Sequence, residues 1–202
     1  MSTSSTSPAV LVLEDGRTFT GTAYGATGET VGEAVFSTGM TGYQETLTDP
    51  SYRGQVVAMT APHIGNTGWN DEDDESTRIH VAGFVLRDPA LRPSNWRSQR
   101  SLEEELVAQG IVSIAGIDTR KLTRLLRDRG SMSGALMAAS SAGEVLDVDK
   151  ALEAAIATAD PATGLVTGTV KTGGLSDARD EEWAHYEYEV PDPSAFTEVV
   201  RR

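Results

Sequence analysis

Cysteine is absent from this chain of 202 residues. That absence excludes disulfides, thiolate metal sites and a cysteine nucleophile on the chain. Histidine is scarce too, with His63, His80 and His185 as the only imidazoles to serve as a base. No stretch approaches the roughly 20 consecutive apolar residues needed to cross a bilayer. The first residues, Met1 to Ser7, have neither the positive start nor the apolar stretch of a secretory signal. The sequence therefore reads as a soluble, cytoplasmic chain. A formal charge of −13 argues against nucleic acid or an anionic membrane as a partner, because a polyanion is repelled before local contacts form.

The charge is unevenly spread. Asp71, Glu72, Asp73, Asp74 and Glu75 are consecutive acids, whereas Arg120, Lys121, Arg124, Arg127 and Arg129 place five cations within ten residues. The acidic run has no glycine where a calcium-binding EF-hand loop needs one, so it reads as a solvated loop and no metal is expected. The cationic segment reads two ways. It is either an ordinary surface helix with charge around a leucine stripe, or a surface for a phosphate or an acidic partner. The glycines at 21, 25, 28 and 32 fit neither a dinucleotide fingerprint nor a P-loop.

Local patterns set out most of the elements. Ala9 to Glu14 and Arg17 to Ala23 are short β-type runs around Asp15-Gly16, a pair suited to a tight hairpin. The glycines that follow predict a break before a strand from Glu33 to Ser37. Tyr43 to Leu47 predicts a brief helix ending near Asp49, since Pro50 disfavours helical geometry before it. Gln55 to Thr60 and Val81 to Leu86 are further strand segments. Ser101 and Glu104 form an S-x-x-E capping box, so Leu102 to Ala108 is predicted helical and Gly110 ends it. Ile111 to Ala115 reads as a buried strand, and Asp118 or Thr119 caps a helix that stops at Gly130. Gly134 to Ala138 predicts another strand, and Val148 to Ala159 another amphipathic helix.

From about residue 160 the pattern weakens. Asp177 to Arg202 holds eight acids, three arginines and two prolines, a composition of linkers and partly ordered tails. The expected organisation is a tail over 1–8, one domain over 9–159, and a linker or partly ordered acidic tail over 160–202. Strands with interspersed helices and no regular βαβ alternation point to an α+β domain with a mixed, layered sheet.

Several segments together carry a family resemblance. They are Leu11 to Gly16, Ser37 to Glu45 continuing through Thr48 to Tyr52, Pro62 to Asn66, Ser94 to Arg97, and Gly116 to Thr123. In this order, over about residues 9–138, the chain resembles the N-terminal domain of the carbamoyl phosphate synthetase small subunits. The resemblance implies a swivelling β/β/α fold and a ligase complex serving arginine and pyrimidine synthesis. In that complex the small subunit supplies ammonia from glutamine, and a large subunit binds ATP and Mg. It also implies that this domain docks on the large subunit, for which Arg120, Lys121, Arg124 and Arg127 are the interface residues to test. By the same resemblance Ser51 reaches glutamine when a glutaminase domain is present, although a serine after Pro50 is equally a turn residue.

No catalytic residue, metal or cofactor is expected on the chain itself, and the isolated chain is expected to be inactive. Two other readings stay open. One is a non-catalytic interaction module, a truncated paralogue of that subunit. The other is a hydrolase using Ser51 or another serine with His63, His80 or His185, for which no nucleophile elbow is present.

Overall fold

The computed structural model describes residues 7–158 and the backbone of 169–172. The chain opens with a hairpin of β1 (Pro8–Leu13) and β2 (Thr18–Gly25), paired antiparallel. Gly16 alone takes a positive φ in the turn, at 81°. Asp15 instead accepts the Arg17 amide at 3.1 Å and also binds its guanidinium. With Leu13 and Arg17 hydrogen-bonded at 2.9 Å, the connection is a three-residue loop closed by a left-handed glycine, rather than a turn with both central residues at positive φ.

β3 (Gly28–Ser37) begins five residues before the predicted strand. The glycines taken as breaks are built into the sheet. A Cβ on Gly32 would lie 2.3 Å from the Gly54 carbonyl oxygen, and one on Gly21 would lie 2.2 Å from that of Ala115. These positions lack a side chain because two backbones meet there. Gly21→Ala is expected to destabilise the chain by about 1–3 kcal/mol, since the obstructing atom is backbone and cannot swing aside. Chemical denaturation measures it, and an unchanged midpoint would refute the close approach.

The remaining elements are α1 (Tyr43–Thr48), a 3-10 turn (Pro50–Tyr52), β4 (Gln55–Met59), β5 (His63–Ile64), β6 (Gly83–Val85) and β7 (Asp88–Pro89). They continue with α2 (Leu102–Ala108), β8 (Val112–Ala115), α3 (Thr119–Arg129), β9 (Met132–Ala138), α4 (Val148–Thr158) and β10 (Thr169–Thr172). Both halves of the capping box at α2 are made, and Asp118 caps α3 by accepting the Lys121 amide at 2.9 Å. β10 pairs antiparallel with the start of β3, within the stretch read as linker or tail. The acidic segment beyond it lies outside the described residues.

The expected α+β class with a mixed sheet holds. The sheet does not stay open as a layer, however. The order β3-β4-β6-β8-β2-β1-β9 returns to β3 through a β3–β9 pairing, so seven strands close into a barrel. Within it β3, β4, β6 and β8 run parallel to one another, and the other contacts are antiparallel.

Strand alternation divides the core. Leu11, Leu13, Val56, Ala58, Val85, Ile114 and Leu136 belong to one buried cluster that fills the barrel. Their neighbours face outward: Val10, Val12, Ala135 and Met137 pack under α4, while Val57, Met59 and Phe84 pack under α1, α2 and the loop around Trp69. Leu122 and Leu126 of α3 join the interior cluster together with Ile117. Because α3 follows β8 and packs on β3 and β4, it lies across the mouth at the carboxyl ends of the parallel strands. Each buried leucine contributes roughly 1.5–3 kcal/mol to holding it there.

Candidate functional site

Ser51 sits exposed in the 3-10 turn that Pro50 starts. Its amide donates to the Asp49 carboxylate at 2.8 Å. Hydrogen bonds from the Ser51 backbone and then its side chain hold the Asp49 carboxyl below the usual carboxylate range. The serine therefore completes a local turn while its side chain stays open to solvent.

The histidines do not assemble a hydrolase among the described residues. Exposed His63 places Nδ1 3.0 Å from the Asp88 carboxylate, a side-chain partner in place of the backbone contact usual for a loop histidine. His80 Nε2 is 2.8 Å from Ser76 Oγ, which gives a serine and a histidine in contact. The Ser76 hydroxyl, however, donates to the Thr48 carbonyl at 2.6 Å, so His80 cannot also draw that proton without breaking the bond. His80 Nδ1 is buried with no partner, and no carboxylate orients the ring. Desolvation, followed by the charges of Arg78 and Arg53, lowers the His80 pKa and keeps the imidazole neutral. The serine–histidine contact and the histidine–aspartate contact thus belong to different sites. His185 lies outside the described residues.

The acidic run is more than a solvated loop. Arg97 bridges Glu72 at 3.1 Å and Asp73 at 2.7 Å, and Arg100 bridges Asp71 at 2.7 Å and also binds Glu105 of α2. Gln44 of α1 donates to Asp74 at 2.8 Å, and Thr48 accepts the Glu75 amide at 2.9 Å. The run ties α1, α2 and the loop before α2 together. Among the described residues no group of three or more histidines and carboxylates is placed to hold a metal ion.

The cations of α3 divide between two sides. Lys121 extends over the Phe19 ring, 5.7 Å from its centroid. Arg120, Arg124 and Arg127 line a groove of about 710 Å³ together with Arg87. Sequence reasoning singled out the helix but missed Arg87, Thr38 and Thr60. All three lie within two residues of a strand's carboxyl end, and that position is the signal that identifies them once the strands are known to be parallel.

Among the described residues, the apolar side chains that stand uncovered include Met40, 85% exposed, Leu91, 97%, and Trp96, 92%. The segment around Trp96 is anchored nonetheless. Asn95 accepts the Arg97 amide at 2.9 Å, and the two bridges from Arg97 hold the segment next to Trp96. No helix among the described residues is long and apolar enough to cross a membrane.

The described residues thus form a closed barrel with apolar and cationic side chains turned outward. Residues 11–136 match the model of the family described as carbamoyl-phosphate synthase small chain, CPSase domain. The chain belongs to that family. It is 76% identical over 125 residues to the carbamoyl phosphate synthase small chain of Streptomyces coelicolor, covering 62% of this chain and 33% of that protein. The small chain of Xanthomonas axonopodis pv. citri is 61% identical over 150 residues, covering 74% of this chain and 37% of the relative. That of Mycobacterium tuberculosis is 62% identical over 144 residues, covering 70% and 38%. The chain spans between 33% and 38% of the length of these relatives.

Proposed function

We propose that this chain is the N-terminal, docking part of the small chain of a glutamine-dependent carbamoyl phosphate synthetase, a cytoplasmic ligase complex of arginine and pyrimidine synthesis. The family match over residues 11–136 carries this reading. In the complex a glutaminase domain releases ammonia from glutamine, and the large subunit, with its own ATP and Mg, incorporates it. The chain has no cysteine to attack the amide, which supports assigning that chemistry to another domain.

Two surfaces suit docking. The outward cations of α3, Arg120, Lys121, Arg124 and Arg127, offer long-range attraction to an acidic face of the large subunit. Met40, Leu91 and Trp96 are apolar groups of the kind that partner domains cover. Ser51, exposed beside its proline-fixed turn, contacts glutamine only when a glutaminase domain is supplied in trans. The outward apolar side chains Met40, Leu91 and Trp96 also suit a second reading, a non-catalytic interaction module derived from that subunit.

Both readings predict no ammonia from glutamine by the purified chain, and release above background that survives purification would refute the assigned inactivity. They differ in a pull-down at low salt. The docking reading expects the large subunit to be retained, and retention to fall when Arg120 and Arg124 are changed to glutamate or when salt is raised. Failure to retain the large subunit, where a full-length small chain does so, would leave the interaction-module reading.

A further inference from the structure

We propose that the groove beside α3 is a binding site for a small phosphorylated ligand, held by its phosphoryl oxygens. The four parallel strands β3, β4, β6 and β8 all deliver their carboxyl ends to this side of the barrel. Thr38 directly follows β3, Thr60 directly follows β4, and Arg87 lies two residues after β6. Thr119 opens the helix that follows β8 and also lines the groove. Parallel strands gather ligands at their carboxyl ends, because the loops diverge there and the next helix turns its amino end toward the gap.

The charges of the groove decide the chemistry. None of its lining residues is a carboxylate, although the chain holds 30 acids. Several cations elsewhere have acidic partners, as in Arg97 with Asp73, Arg100 with Asp71, and Lys150 with Glu29. Arg87, Arg120 and Arg124 form no ion pair among the described residues, and Arg127 meets only its neighbour Asp128, at 3.6 Å. Asp118, beside Thr119, is turned onto the Lys121 amide, Asp88, beside Arg87, lies against His63 Nδ1, and neither lines the groove. Like charges held around one concavity repel, and a polyvalent anion removes that cost.

A single carboxylate neutralises one guanidinium. A phosphoryl group brings close to two charges and three acceptor oxygens, which match several arginine forks and the hydroxyls of Thr38 and Thr60. The volume of about 710 Å³ exceeds what a bare phosphate fills and lies within the roughly 300–1,000 Å³ of small-molecule sites. The phosphoryl group therefore belongs to a larger molecule.

The test uses the full chain alone, so its outcome is separate from docking. Calorimetric titration with inorganic phosphate and with pyrophosphate, at constant ionic strength, is expected to show one saturable site that prefers pyrophosphate. Arg87→Gln and Arg124→Gln are each expected to weaken it about tenfold. Arg129→Gln, the same charge change on the same helix but outside the groove, is expected to leave affinity within about twofold. Absence of saturable binding would overturn the site. So would an Arg129→Gln effect as large as that of Arg124→Gln, because the anion would then sense only the overall charge of the helix.

Discussion

Phe84→Ala is expected to lower the stability of the chain by about 3–5 kcal/mol, the range for emptying an aromatic site that cannot collapse. Phe84 is fully buried on β6, a strand flanked by β4 and β8, so neither neighbour can shift inward without disturbing the barrel ladder. Its ring packs on the outer face in the cluster that includes Met59, Trp69 and Leu106. The loss therefore loosens the attachment of α1, α2 and the Trp69 loop as well as the strand. Phe84→Leu keeps most of the volume and is expected to cost much less. Denaturation midpoints at equal slope measure both variants, and a Phe84→Ala value within about 1 kcal/mol of the parent would place the ring outside a packed core.

Arg100→Met is expected to cost about 3 kcal/mol through a different mechanism. Glu105 is only 8% exposed and takes its positive partner from Arg100, with Gln109 as a further donor at 2.5 Å. Removing the guanidinium leaves a buried carboxylate with a neutral partner alone, and such an orphaned charge costs more than the pair contributed. Asp71 also loses its bridge, which frees one end of the acidic run. A double variant carrying Arg100→Met and Glu105→Leu removes both charges and is expected to recover most of the loss. If the single and double variants are equally unstable, Arg100 acts through packing of its aliphatic stem and the charge argument fails.

Local signals were legible in the sequence wherever one segment determined its own geometry. The capping box fixed Leu102–Ala108 to the residue, and Asp118 with Gly130 bounded α3, because caps are made by neighbours in the chain. The hairpin around Asp15-Gly16 was legible for the same reason, down to a turn type that needed the structure. Non-local facts were not. The glycines at 21 and 32 read as breaks because nothing local shows that Ala115 and Gly54 carbonyls lie against them. The acidic run read as a solvated loop because Arg97 and Arg100 lie more than twenty residues away. Of the candidate site, the α3 cations and Ser51 were named from sequence. Arg87 was not, since its relation to Arg124 exists only once β6 and β8 run parallel and end together. For the same reason closure of the sheet was beyond local reading.

That closure has a consequence for how the chain is made. β1 finds one partner within a few residues, but its other edge waits for β9, whose last residue pairs as Ala138 with Ala9. Contacts so far apart in sequence form late, and until they do β1 and β3 each present an unpaired edge. A growing chain halted on the ribosome before residue 138 would hold an open sheet prone to pairing with its neighbours. Synthesis through β9 is therefore the step that turns an aggregation-prone intermediate into a sealed domain.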